Sequence, residues 1–255
     1  MGRIDAAFSE LKRQGKKGFI PFITAGDPNL ETTRELLIEL SGATVIELGV
    51  PFSDPMADGP VIQRSSERAL KHGIGVGDIL QLVASVRREI ETPIILFSYF
   101  NPLLQFGLKR LAAEVKAAGV DGVLVTDLSP EEAGEFESEL RANDLDMIFL
   151  IAPTSTDERL KLVAQHARGF IYAVSRAGVT GVRTSVSAEA EKLVDRMRQF
   201  SDLPIAVGFG ISTAEQVKDV QRYADAAVIG SAIVAEIERG VTAKEIGDFV
   251  KQVSD

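Results

Sequence analysis

Two carboxylates frame the part of this chain best placed to do chemistry. Glu47 lies inside the apolar run Val45–Val50, and Asp58 closes a loop of turn-forming residues eleven positions later. A short apolar run of this kind reads as a parallel strand covered on both faces, where an unpaired carboxylate is costly. Such a group needs a cationic partner or a use. No strand arginine is available to pair with it, so Glu47 is the first candidate for catalysis. Period-two alternation sends Val45, Glu47 and Gly49 to one face and Ile46 and Leu48 to the other. With the aliphatic pair against helices, Glu47 projects inward, where burial raises its pKa and lets it act as acid or base near neutrality.

Asp58 stands before Gly59-Pro60 and reads equally well as a turn residue or as a second functional carboxylate. Asp54 before Pro55 and Asp27 before Pro28 read as turn formers. The residue types that are missing narrow the chemistry further. There is no cysteine, which removes thiolate metal sites, disulfides and cysteine nucleophiles. No lysine stands at a strand's C-terminal end, against Schiff-base chemistry. The two histidines, His72 and His166, fall in helical segments, against a histidine-ligated metal. Acid–base work falls to carboxylates.

The elements that must position these groups alternate along the chain. Strands are expected at Phe19–Thr24, Val45–Gly49, Ile94–Phe97, Gly122–Thr126, Met147–Ile151, Phe170–Val174, Ile205–Val207 and Ala226–Ile229. Helix-period segments are Leu30–Leu40, Val76–Ile90, Leu108–Ala118, Pro130–Asn143, Asp157–His166, Ser187–Phe200, Thr213–Tyr223, Ser231–Arg239 and Ala243–Val253. Ser129-Pro130 and Ser212-Thr213-Ala214-Glu215 read as helix starts, the second as a capping box. Arg3–Gln14 adds a helix before the first strand, with Ile4, Phe8 and Leu11 on one face, placed to plug a barrel bottom. Eight strand–helix units in 255 residues are the count of a (β/α)8 TIM barrel, expected as a single domain over residues 1–255. A doubly wound open sheet is the other architecture with this alternation, but a barrel alone gathers all eight loops at one face.

Two glycine sites follow the last two strands: Gly208-Phe209-Gly210-Ile211, and Gly230-Ser231 at a helix start. Loops seven and eight of a barrel, with a helix N-terminus, commonly cradle phosphate. The glycine-hinged stretch Ser175–Ser185 reads as a lid over the site or as an unstructured loop. A net charge of −9, with no dense basic cluster, argues against nucleic acid. No apolar run reaches the length of a membrane span and no signal-peptide pattern opens the chain, so a cytoplasmic location is expected.

Glu47-Leu48-Gly49-Val50-Pro51-Phe52-Ser53-Asp54-Pro55, Ala57-Asp58-Gly59-Pro60 and Ser175-Arg176-x-Gly178-Val179-Thr180-Gly181 closely resemble the tryptophan synthase alpha chain family. Pro21–Pro28 and Gly208–Ile211 add weaker matches, and the likeness spans essentially the whole chain. Thr44 departs from the family's frequent acidic residue, and Val182–Ser185 follows no strong pattern. The resemblance implies retro-aldol cleavage of indole-3-glycerol phosphate to indole and glyceraldehyde 3-phosphate, with no metal and no organic cofactor. By it, Glu47 is the general acid–base and Asp58 the carboxylate that accepts the indole N–H. Phe19 and Tyr172 line the indole pocket, with Phe209 among the substrate contacts. Gly181, Gly210, Gly230 and Ser231 hold the phosphate, and Thr180 bonds the aspartate from the lid. The resemblance also implies a beta-chain partner in an alpha2beta2 assembly, met by Pro51-Phe52 and Asn101-Pro102. Two other readings stay open: a carboxylate-using sugar-phosphate isomerase or epimerase, and a subunit whose main role is to bind and activate its partner.

Overall fold

The structure is a computed structural model that describes residues 2–174, 188–208 and 210–254. Its strands are β1 (Gly18–Thr24), β2 (Ile46–Gly49), β3 (Ile94–Ser98), β4 (Gly122–Val125), β5 (Asp146–Ile151), β6 (Ile171–Val174), β7 (Ile205–Gly208) and β8 (Ala226–Ile229). They close in chain order, each parallel to its neighbours, with β8 returning to β1. The helices are α1 (Arg3–Gln14), α2 (Leu30–Glu39), α3 (Pro60–Leu70), α4 (Val76–Val86), α5 (Phe100–Phe106) and α6 (Leu108–Ala118). The second half adds α7 (Gly134–Ala142), α8 (Asp157–His166), α9 (Ala188–Met197), α10 (Ala214–Gln221), α11 (Ser231–Glu238) and α12 (Ala243–Ser254). The chain therefore forms the expected (β/α)8 barrel. No helix among the described residues is long and apolar enough to cross a membrane.

Strand alternation divides the core into two shells. Ile23, Ile46, Leu48, Leu96 and Val123 pack outward with the helices. Ile20, Phe22, Val45, Ile95, Phe97, Leu124, Ile148 and Phe170 fill the barrel. α1 closes the bottom as expected: Ile4 and Phe8 join the inner shell, with the Phe8 ring 5.8 Å from that of Phe170. Each such side chain removed from water contributes about 2 kcal/mol.

Three local expectations are corrected. The helices α3 and α5 stand where no helix was expected. In α3 the buried face includes Ser65 and Ser66, so polar residues mask the 3.6-residue period, although Gly59 then Pro60 is a good helix start. α7 begins at Gly134 rather than Pro130, because Ser129 donates to the Glu132 carboxylate at 2.9 Å instead of capping the helix. The capping box of α10 is shifted by one residue, using Thr213 and Gln216.

The bottom face is pinned by aspartates placed just before even-numbered strands. Asp121 accepts from the Ile94 N–H at 2.9 Å, from Arg87 at 2.9 Å and from Arg3 at 3.0 Å. Asp225 does the same for Ile205 at 3.0 Å, with Arg198 at 2.9 Å. Asp146, at the start of β5, is less well served. Its nearest cation is Arg168 at 3.6 Å, and burial, then the charge of Asp5, pushes its carboxyl up to about 6. A carboxyl raised above its ordinary value adds stability at low pH and loses it as pH rises through the folded pKa. Asp146→Asn should therefore gain about 1 kcal/mol at pH 8, a figure kept small because Arg168 and solvent screen the charge. At pH 4.5 the gain should fall to roughly a third of that. Urea unfolding at the two pH values checks this, and equal midpoints at pH 8 would refute it.

Candidate active site

β2 carries Glu47 on the inward face, beside Phe22 of β1 and Ile95 of β3 in register. The side chain is 1% exposed, and its Oε1 has no hydrogen-bond partner. Burial holds the carboxyl well above the ordinary carboxylate range. A proton stored here can be given to a substrate and taken back.

Asp58 reaches the site from the loop between β2 and α3. Its N–H donates to the Pro55 carbonyl at 3.1 Å, and Gln63 donates to its carbonyl at 2.9 Å, so the backbone on either side is fixed. The Tyr99 hydroxyl donates to Asp58 Oδ2 at 3.1 Å while accepting from the Ala57 N–H at 2.8 Å. Burial pushes the Asp58 carboxyl up to about 6, against a lowering by the Tyr99 bond. Asp58 is therefore mostly ionised at neutral pH, and its hydroxyl donor favours the charged form. Asp58, Phe22, Thr24, Gly49, Phe97 and Tyr99 line one cavity at the C-terminal end of β1–β3.

An aromatic wall completes the interior. The Phe22 and Phe97 rings meet edge-on at 5.2 Å, and Phe97 and Tyr172 at 6.5 Å. Tyr172 on β6 is buried, and its hydroxyl is raised well above its ordinary value, first by burial and then by the charges of Glu47 and Asp58. The three groups thus share one electrostatic space. Glycines make room for the rings. A Cβ at Gly49 would stand 2.6 Å from the Phe22 ring, and one at Gly208 would stand 1.9 Å from the Tyr172 hydroxyl oxygen.

Phe19 does not belong to this wall. It packs in the outer shell, and Phe22, with the opposite parity on β1, takes the inward place. Every residue of β1 is buried, so the strand shows no polar–apolar alternation from which to read its facing. The signal that finds Phe22 is register: it pairs with Glu47 across β1 and β2. Tyr99, just past β3, is hidden from a reading of the sequence because its partnership with Asp58 joins two separate loops.

Gly230 and Ser231 open α11 as expected from the strand-eight loop. The helix has no side-chain cap and no acidic residue in its first turn, which leaves first-turn N–H groups and the positive dipole end for an anion. Gly210 adopts φ 77°, with open space where a Cβ would stand. Thr180, Gly181 and Phe209 lie outside the described residues.

Gly208→Ala should drive the Tyr172 ring from its place and destabilise the chain by about 1–3 kcal/mol. Gly42→Ala, where a Cβ meets nothing within 4 Å, should stay within about 0.5 kcal/mol of the parent. Urea melts of the two variants decide it, and an unchanged Gly208→Ala midpoint would show that the ring is not confined there.

The site's relatives are known proteins. A family model described as "Tryptophan synthase alpha chain" matches residues 8–253. The tryptophan synthase alpha chain of Polynucleobacter necessarius is 49% identical, with 100% of this chain and 98% of the relative covered. That of Geobacter sulfurreducens is 52% identical, with 97% and 94% covered. Among solved structures, tryptophan synthase subunit alpha from Legionella pneumophila is similar with a TM-score of 0.88 and 39% identity, over 100% of this chain and 96% of that one. A chain of M. tuberculosis tryptophan synthase in its aminoacrylate-bound form is similar with a TM-score of 0.90 and 31% identity, over 100% and 98%. A (β/α)8 barrel with these matches along nearly its whole length belongs to the tryptophan synthase alpha chain family.

Proposed function

We propose that Glu47 and Asp58 divide the acid–base work of the alpha reaction of tryptophan biosynthesis, the cleavage of indole-3-glycerol phosphate to indole and glyceraldehyde 3-phosphate. The observation that carries this reading is the difference between the two carboxyls. Glu47 is fully buried with Oε1 unpartnered, so it keeps a proton, whereas Asp58 is anchored by Tyr99 and ionised at neutral pH.

The steps rest on that difference and on the family's chemistry. The indole ring lies against Phe22, Phe97 and Tyr172, with its N–H donating to Asp58. Glu47 protonates indole C3, and the positive charge that develops on the ring nitrogen is stabilised by the Asp58 carboxylate. The glycerol hydroxyl beside the scissile bond then loses its proton to Glu47. The C–C bond breaks, its electron pair restores the aromatic indole, and the hydroxyl carbon becomes the aldehyde. The phosphate sits at Gly210, Gly230 and Ser231, where α11 offers its free first-turn N–H groups. No cofactor takes part in these steps.

Glu47→Gln should bind substrate but lose roughly 10²–10⁴-fold in kcat, because an amide carries no proton between the two sites. In the parent chain, kcat/KM should fall as pH drops through about 6, where Asp58 becomes protonated. In Asp58→Asn that limb should disappear along with most of the rate. pH–rate profiles of the three proteins check both roles, and a Glu47→Gln enzyme above a tenth of the parental rate would overturn the first.

We further propose that the chain works in an alpha2beta2 assembly with a tryptophan synthase beta chain. Met56 is 84% exposed and Leu104 47%, and they are the exposed large hydrophobic residues among those described. Met56 shares the loop after β2 with Pro51-Phe52, and Leu104 shares α5, which follows β3, with Asn101-Pro102. A partner docked there would order the loop that carries Asp58 before substrate arrives. Beta-chain binding should therefore raise kcat, and a non-cleavable substrate analogue should tighten beta-chain binding by a comparable factor. Met56→Asp should weaken that binding roughly tenfold. Calorimetry with and without the analogue tests it, and an affinity indifferent to both changes would leave this chain a stand-alone lyase.

A further inference from the structure

Behind the site lies a group of charges that the chemistry above does not use. Asp27, in the loop after β1, is fully buried and accepts a two-pronged bond from Arg68 of α3, at 2.7 and 2.8 Å. The remaining prong of Arg68 reaches Glu238 at 2.9 Å. Arg64, one turn earlier on α3, holds both oxygens of Glu238 at 2.7 Å. Glu238 is the last residue of α11, where a negative charge meets the unfavourable end of the helix dipole. The two arginines more than offset that: Arg64 first, then Arg68, holds the Glu238 carboxyl down at about 2.

The two helices joined here begin at the two ends of the substrate site. α3 starts immediately after Asp58 and Gly59, and Arg68 lies roughly 12 Å along it. α11 starts at Gly230-Ser231, and Glu238 lies roughly 10 Å along it. A helix of two turns transmits displacement with little bending, so joining the far ends of α3 and α11 fixes the spacing of their near ends. Fork-to-carboxylate pairing suits this, because it sets angle as well as distance. Asp27 ties the same arginine to the β1 strand end and so references both helices to the barrel.

We propose that Arg68 and Glu238 are positioning residues that set the distance between the indole end of the site at Asp58 and the phosphate end at Gly230-Ser231. The inference rests on the assignment of those two ends under the proposed function. A ligand that spans both ends depends on the spacing, whereas a ligand that touches one end does not.

Glu238→Ala breaks the link between the helices, removing every bond to Arg64 and Arg68, and leaves the buried Asp27–Arg68 pair intact, so the chain keeps its fold. Its test uses the full chain and three ligands: a non-cleavable indole-alkyl phosphate, indole alone, and glyceraldehyde 3-phosphate alone, each as an inhibitor of cleavage. The spanning ligand should weaken roughly tenfold and kcat/KM should fall by a similar factor, while the inhibition constants of the two fragments stay unchanged. Arg68→Lys keeps the charge beside Asp27 but loses the fork, and should move the spanning ligand in the same direction. A common change in all three ligands, or none in the spanning one, would overturn the proposal and leave the cluster a structural staple. If indole and glyceraldehyde 3-phosphate fail to inhibit even the parent chain, the assignment of the two ends falls first, and this inference with it.

Discussion

An ionisable group without a full set of partners, held inside a packed barrel, sets the conditions for everything around it. Charged, the Glu47 carboxyl would cost several kcal/mol in that position, so it stays protonated and the surrounding structure supplies the stability it withholds. Closure of the eight strands removes any exposed sheet edge, and the Ile4 and Phe8 plug fills the lower interior. The upper interior is then free to be polar where chemistry needs it. Space there is made by removing side chains. Gly49 admits the Phe22 ring and Gly208 admits Tyr172, so the aromatic wall exists because neighbouring inward positions carry no Cβ.

The second carboxylate gains its different character from its anchorage. Asp58 is on a loop, less deeply buried, and receives a hydrogen bond that rewards the ionised form. One carboxyl is kept neutral by isolation and the other is kept charged by a donor. Burial first, and then the Asp58 charge, hold the Tyr172 hydroxyl protonated. A phenol that stays neutral adds no charge to the space it shares with the two carboxyls.

Much of this was legible in the sequence, for reasons that also explain what was not. Alternating apolar runs and amphipathic segments give eight strand–helix units, and every strand lies within two residues of its expected bounds. Glu47 stood out because a lone acid in an apolar strand is chemically conspicuous. α3 did not, because Ser65 and Ser66 replace apolar residues on its buried face, where Ser65 bonds to Thr24 at 2.6 Å. Phe19 was assigned to the wrong shell because β1 is buried throughout, and burial on both faces erases the alternation that reports direction. Tyr99 and Arg68 share a deeper difficulty. Their partners, Asp58 and Asp27, lie 41 residues away, and no local pattern announces a contact that only closure of the barrel creates.

Carboxylates at the two ends of this barrel show what separates structure from chemistry when the residue type is the same. At the bottom, Asp121 and Asp225 stand one residue before a strand and find the first N–H of the preceding odd-numbered strand together with an arginine. Their charge is spent on fixed donors, and such groups hold the strand starts in register. At the top the strands end in carbonyls, and Asp127 finds a donor only in the Phe100 N–H at 2.7 Å, past the end of β3; an acid without such a donor must be neutral, be tied to a side chain, or wait for a ligand. Glu47 is the first case and Asp58 the second. Asp27 is the limiting one, buried but fully engaged by Arg68. Reactivity follows the number of acceptor positions left unserved, and by that measure the inward end of β2 is where a substrate has most to offer.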